Sequence, residues 1–441
     1  MLEKLRRFFA GKKVLILGFG REGRSSYELI RRLLPDLRLT IADRRKVEID
    51  DAKAETVCGE GYLDSLGSYD VVMKSPGISL KDVDVSGLEE KITSQLELLL
   101  EFFPGRTIGV TGTKGKSTTS SLVYEVLRGQ GVRSLLLGNI GTPVFEHVDE
   151  IESDMTLVLE MSSHQLEFMR RSPNVALLLN VYPEHLDHYQ SFGVYAQAKC
   201  NIFQWQDEDG VLFYGADEGL VRKLVMEIGG AGREYGVGLE RGAVRKVGDF
   251  VEFESERIYD CRDERKLVGD YNLLNIMFAL GVAKVLGLDM AKAAKSVNEF
   301  RGLRHRVEFV GEFGGVKYYD NAIGTVPQAT MTAMKALGDV DTVIVGGMDR
   351  DVSMAELVEF LKNDKVRNVI CMPETGYVVA MAVGADKAVM VETMEEAVRV
   401  ARERTARGKS CLLSPAAASY GRFKNFEEKG DLYQELVREL E

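Results

Sequence analysis

Short β-branched runs alternate with longer amphipathic stretches along the chain. VLILG (14–18), VVMKS (71–75), TIGVTG (107–112), LLLNV (177–181) and DTVIVGG (341–347) each give way to polar turns. Near-continuous apolar runs of this kind suit strands buried on both faces of a parallel sheet. Stretches such as SSYELIRRLL and MAELVEFLKN repeat apolar residues at helical spacing. The alternation predicts an α/β fold with mostly parallel sheets. LLLEFFPGRT (98–107) ends a helix at Pro104-Gly105 and restarts a strand, and the Gly- and Arg-rich stretch 299–320 leads into another. The expected domains are therefore 1–103, 104–301 and 302–441. A stretch at roughly 230–270, with turns such as VGDF, predicts short antiparallel strands.

A chain of 441 residues fits two or three domains. Its 57 basic and 68 acidic residues give a net charge of −11, which disfavours non-specific binding to nucleic acid or an anionic membrane. No apolar run approaches the ~20 residues of a membrane span, and the N-terminus lacks a signal-peptide core. Five cysteines are scattered singly, so reduced thiols in the cytoplasm are expected and a zinc site is not.

Two glycine-rich turns carry candidate chemistry. After strand VLIL come Gly18-Phe19-Gly20-Arg21-Glu22-Gly23 and a helix, a pattern that lets backbone amides approach a diphosphate. Asp43 follows at the distance of a ribose-binding acid. A dinucleotide, a UDP-type nucleotide and a plain tight turn all fit. The second turn, Thr111-Gly112-Thr113-Lys114-Gly115-Lys116-Ser117-Thr118-Thr119, resembles a P-loop, whose amides cradle phosphates and whose hydroxyl binds Mg²⁺. Val110 stands where the first P-loop Gly would be. ATP is the expected ligand.

Further along, strand TLVLE ends at Glu160, where a Mg²⁺ ligand or water-orienting acid is expected beside a P-loop sheet. Three of the five histidines (164, 185, 188) fall close together, and carboxylates near a P-loop favour Mg²⁺ over zinc. Lys199, judged by composition alone, is a solvated helix residue.

TGTKGKSTT, LEMSSHQLE, NVYPEHLDHY with a downstream AQAK, GDYNLLNIMFAL, GLRHR and LLSPAAASYGRFKNFEEKG stand in the order and spacing of one family. The chain resembles the Mur ligases of peptidoglycan precursor synthesis from about 14 to 435. KSPGIS (74–79) and the tail are most similar to the glutamate-adding branch. The resemblance implies a Rossmann-like first domain, a P-loop ATPase-like second and a Rossmann-like third. It implies ATP-dependent addition of glutamate, D-Glu by default, to UDP-N-acetylmuramoyl-L-alanine through an acyl phosphate, in the cytoplasm, by a monomer with no membrane span or nucleic-acid partner.

The same resemblance implies the site. Gly18, Phe19, Gly20, Arg21, Asp43 and Arg44 would hold the UDP end; Ser75, Pro76, Gly77 and Asn139 would meet the rest of that substrate, with Ser162 and Gln165. Gly112, Thr113, Lys114, Gly115, Lys116, Ser117 and Thr118 would bind ATP with Asn272, Asn275, Arg306 and Asp320. Ser117, Glu160, His185 and a carbamylated Lys199 would ligate two Mg²⁺ ions, and Lys116, Glu160, His185 and Lys199 would carry catalysis. Thr325, Arg350, Ser419, Tyr420 and Phe426 would receive glutamate.

One stretch departs from the family. DDSKATN becomes Asp320-Asn321-Ala322-Ile323-Gly324-Thr325-Val326, losing a carboxylate and an ammonium. Arg350 stands in place of a lysine; its planar guanidinium still suits a carboxylate. These changes leave open an L-glutamate-adding variant or a non-catalytic Mur-like subunit. A folate-polyglutamate-type ligase is disfavoured by the first domain, and a dehydrogenase by the P-loop.

Overall fold

A computed structural model describes residues 1–139, 143–185, 187–267, 269–350, 352–363 and 365–440. The GNIG motif therefore lies outside them beyond Asn139. The chain divides into two compact units, Met1–Phe300 and Arg301–Glu441.

The first unit holds two sheets. A five-stranded sheet runs Ala54–Cys58, Leu39–Asp43, Val14–Leu17, Val71–Lys74, Ile92–Thr93, all parallel. Val14–Leu17 and Val71–Lys74 are buried at every position, as a central parallel strand demands. The second sheet has nine strands, with Arg106–Thr111 between Thr156–Glu160 and Val175–Leu178. From Arg106–Thr111 the chain builds first to one side and then to the other. Its C-terminal end is therefore a topological switch point, where α/β sheets open a crevice for ligands. One apolar core runs between these two sheets, joining Leu96 and Leu99 to Phe145, Leu157 and Leu159.

The expected antiparallel stretch is shorter than 230–270. Arg233–Gly238 runs parallel to Val211–Gly215, and only Val244–Val247, Phe250–Phe253 and Glu256–Asp260 form antiparallel pairs. The first two are joined by Gly248-Asp249, with Gly248 at φ 57°, a conformation that suits a tight hairpin. Val175–Leu178 ends before the expected LLLNV run does, because Asn180 turns toward the phosphate-type loop.

The second unit is one six-stranded sheet. Glu308–Phe313 pairs antiparallel with Val316–Asp320, and Ser410–Leu413, Val340–Gly347, Asn368–Glu374 and Ala388–Met390 follow in parallel. Helices begin where the sequence supplies caps: Ser94, Ser191, Thr393 and Asn425 each accept a first-turn amide. Among the described residues no helix is long and apolar enough to cross a membrane.

Candidate active site

The loop from Gly112 to Gly115 leaves the switch-point strand and starts helix Lys116–Gly129. Gly115 sits at φ 87°, and a Cβ there would lie 2.8 Å from Asn275 Oδ1, so only glycine fits. The loop is tied from below. Thr113 N–H donates to the Asn180 carbonyl (2.9 Å), Lys114 N–H to Asn180 Oδ1 (2.8 Å), and Thr113 Oγ1 meets Tyr195 Oη at 2.9 Å. Thr119 Oγ1 donates to Asn275 Oδ1 at 3.1 Å, and Asn275 Nδ2 reaches Asn272 at 3.4 Å. Both asparagines are thus buried behind the loop. Ser117 and Thr118 lie in the helix's first turn and are partly exposed. Lys114 pairs with Glu184.

Two lysines converge on one backbone oxygen. Lys116 Nζ donates to the Gly112 carbonyl at 3.0 Å and to Thr113 O at 3.1 Å, while Lys199 Nζ donates to the same Gly112 carbonyl at 2.9 Å. Composition placed Lys199 in solvent; instead it is 2 % exposed, carried inward on helix Phe192–Cys200. Burial, and then the neighbouring Lys116 charge, brings its amine down to about 7.

Glu160 ends the adjacent strand level with Val110 and is 2 % exposed. Asn139 Nδ2 donates to its Oε1 at 2.8 Å, whereas Oε2 is buried without a hydrogen-bond partner. A buried carboxylate oxygen left so is costly unless a cation or donor completes it. A carboxylate oxygen of this kind suits a hard divalent cation such as Mg²⁺. His185 adopts φ 58° and its ring lies 4.7 Å from that of His164, which stands 4.2 Å from His188. Burial, with His188 and His185 close by, lowers His164 to about 4, so it is neutral near pH 7.

The first glycine turn is braced by Asp43. Its buried carboxylate accepts from Phe19 N–H (2.7 Å) and Arg45 N–H (2.8 Å), so the acid expected at a ribose orders the turn itself. Ser75 Oγ donates to the Gly18 carbonyl at 2.9 Å, joining the two turns at the ends of neighbouring strands. Gly18 takes φ 88° and Gly20 caps the helix that Arg21 begins. Arg21, Arg44 and Gly77 are exposed and Pro76 half-buried. Ser162 and Gln165 engage each other in a capping box, which orients the loop after Glu160.

In the second unit Asp320, expected at the nucleotide, is fully buried. Its oxygens accept from His305 Nδ1 (2.7 Å), Gln434 Nε2 (2.9 Å) and Ala322 N–H (2.8 Å), which fixes the divergent loop from within. Asn321 Nδ2 donates to Ser414 Oγ at 2.9 Å. Thr325 is half-buried, and Arg306, Arg350 and Tyr420 are exposed. Ser419 is buried with an unpartnered hydroxyl, and the ring of Phe426 lies 6.2 Å from that of His305.

Sequence reasoning missed three features. Lys74, 5 % exposed, pairs with Glu167 at 3.1 Å; a lysine closing an apolar strand was the available signal. Tyr195 supports the phosphate-type loop from one helical turn before Lys199. The His305–Asp320 pair joins segments whose contact no local pattern announces.

The chain has relatives among known proteins. The profile of the Mur ligase middle domain matches residues 110–283. The chain is 32% identical over 464 aligned positions to the UDP-N-acetylmuramoylalanine–D-glutamate ligase of Clostridium botulinum, covering 99% of each. Against the enzyme of the same name from Clostridium kluyveri it is 31% identical over 460 positions, again covering 99% of each. Among solved structures, the MurF ligase from Thermotoga maritima in complex with ADP aligns with a TM-score of 0.57 at 18% identity, covering 97% of this chain and 95% of that one. The UDP-N-acetylmuramate–alanine ligase MurC from the same organism aligns at 0.58 and 18%, covering 98% and 100%.

Proposed function

The chain belongs to the Mur ligase family, and from that premise we propose that it joins glutamate to UDP-N-acetylmuramoyl-L-alanine at the expense of ATP. D-Glu is the default amino acid, as in the names of the clostridial relatives. The observation that carries this reading is the convergence of Lys116 and Lys199 on the Gly112 carbonyl, beside a buried acid with a free oxygen. Such a site is electropositive at the loop and anionic at its edge, as a nucleotide with a divalent cation requires.

A carboxylate does not condense with an amine in water, so it must first gain a leaving group. In the proposed reaction a substrate carboxylate oxygen attacks the γ-phosphorus and ADP departs. The glutamate nitrogen then adds to the acyl carbon, loses a proton, and phosphate leaves as the amide forms. Gly112 to Thr118 would cradle the phosphates with backbone amides, and Lys116 would offset charge on the transferred group. Asn272 and Asn275 would brace that loop from behind, and the turns at Gly18–Arg21 and Ser75–Gly77 would seat the UDP-linked substrate. Ser117, Glu160, His185 and carbamylated Lys199 would hold Mg²⁺, which when bound supplies Lewis-acid charge neutralisation on phosphate oxygens. Arg350, Thr325, Ser419, Tyr420 and Phe426 would receive the amino acid, with Arg350 as a bidentate partner for a carboxylate.

The altered 320–326 loop supports one second reading, in which L-Glu replaces D-Glu. Incubation with UDP-N-acetylmuramoyl-L-alanine, ATP, Mg²⁺ and each enantiomer separately decides it. Phosphate release with formation of the dipeptidyl product is expected with D-Glu. Turnover with L-Glu alone would select the second reading, and silence with both, in a folded protein that binds ATP, would overturn the ligase assignment.

A further inference from the structure

Two loops that the proposed reaction uses separately are strapped together. One is the turn after strand Val71–Lys74, carrying Ser75 to Gly77; the other is the loop after strand Val175–Leu178, carrying His185. Lys74 Nζ lies 3.1 Å from Glu167 Oε2, and the same oxygen accepts from His188 Nε2 at 3.2 Å. The side chains of Lys74, Glu167 and His188 are only 4%, 11% and 8% exposed. Beyond them Ser79 Oγ donates to the His188 carbonyl (2.7 Å), Lys81 Nζ to the Asp187 carbonyl (2.6 Å), and Gln190 Nε2 to the Lys81 carbonyl (2.6 Å). The amides of His188 and Tyr189 in turn donate to the His185 carbonyl at 3.0 and 3.2 Å.

His185 itself sits at φ 58°, a backbone conformation that a side-chain-bearing residue keeps only where its surroundings enforce it. The strap grips residues on the far side of that turn and supplies the enforcement. A buried ion pair is a poor way to gain stability, since an apolar pair of similar volume commonly does as well. Its distinctive property is registry: charge and hydrogen bonds are satisfied in one arrangement of the two loops and not when they slide. Lys74 also faces Glu22 in the first turn of the helix after Gly20, which extends the same chain of charges to the first glycine turn.

We propose that Lys74 and Glu167, with His188, are positioning residues that hold the His185 loop in register with the Ser75–Gly77 turn, so that binding of the UDP-linked substrate and of the divalent cation with nucleotide strengthen each other. The inference rests on the ligase reading, and its test separates the two. Mn²⁺ binding to the full-length protein is titrated by electron paramagnetic resonance with a non-hydrolysable ATP analogue, with and without UDP-N-acetylmuramoyl-L-alanine. In the native protein the substrate tightens Mn²⁺ binding about fivefold or more. In Lys74→Met and Glu167→Gln each ligand alone binds within about threefold of native, while that tightening falls below about twofold. Lys74→Arg, which can still pair with the carboxylate, retains it. Should the single variants fail to fold, Lys74→Met/Glu167→Leu removes both charges together and gives the same loss of coupling. Coupling that persists in folded variants lacking the pair, or that is absent from the native protein although both ligands bind, overturns the inference. Failure of the native protein to bind the UDP-linked substrate at all overturns the ligase reading instead.

Discussion

Replacing Lys199 by alanine removes the amine that the proposed reaction uses, as a carbamate, to face the metal. An ordinary lysine at 10.5 is neutral in about three molecules per ten thousand at pH 7, whereas an amine near 7 is neutral in about half, an enrichment of about 1,500-fold. Only the neutral amine adds to CO₂, forming an N–C bond and releasing a proton, so burial favours the carbamate that the proposed reaction uses. The carbamate keeps one N–H, which allows the 2.9 Å bond to the Gly112 carbonyl to survive. Its charge is opposite to that of Lys116, so the repulsion between the two ammoniums is replaced by attraction. Incubation with ¹³C-bicarbonate should give the native protein a carbamate carbon resonance that Lys199→Ala lacks, with occupancy rising as pH increases through about 7. Ligase turnover in Lys199→Ala should fall by about 100-fold or more, the scale of losing one charged group from a phosphoryl-transfer site, and should recover in part with added short-chain carboxylates. A fully active Lys199→Ala protein without rescue, or an active native protein that takes up no label, would refute the reasoning.

Lys116→Ala should abolish turnover and weaken nucleotide binding, measured by calorimetry with ADP; a variant near the native rate would remove the phosphate role. Glu160→Gln should lose turnover yet gain about 1 kcal/mol of stability in EDTA, because it discharges a buried oxygen with no partner; a lower urea midpoint in EDTA would contradict that account. His305→Ala should cost about 3 kcal/mol, the scale of breaking a buried charged pair. Burial alone would lower the His305 imidazole, but Asp320 holds it above its ordinary value. The stabilisation is therefore full below the unfolded value of about 6.5 and fades as pH rises through the folded one. Urea titrations of native and variant protein from pH 6 to 9 should converge with rising pH, and a gap that widens would show the sign to be wrong.

The strands were legible because a parallel strand buried on both faces must be largely apolar, as at VLIL and in the LVL of TLVLE. The phosphate-type loop was legible because glycine, lysine and hydroxyl residues are each required at fixed spacing by backbone approach and charge. Lys199 was not readable from composition, since a helix lysine is ordinarily solvated and its burial depends on how Phe192–Cys200 packs under the Gly112 loop. Nor was Asp43's bracing role, because the Phe19 amide that fills its oxygen comes from a turn 24 residues away. The setting of Asp320 was hidden for a related reason: its partners, His305 and Gln434, lie in other elements, and only their packing shows that the carboxylate points inward.

The most direct test of the whole account follows oxygen. UDP-N-acetylmuramoyl-L-alanine labelled with ¹⁸O in both oxygens of the alanine carboxylate is turned over with ATP, Mg²⁺ and D-Glu, and the released phosphate is analysed by mass spectrometry. Activation as an acyl phosphate predicts one ¹⁸O in each phosphate and one in the new amide. Amide product accompanied by unlabelled phosphate would contradict it.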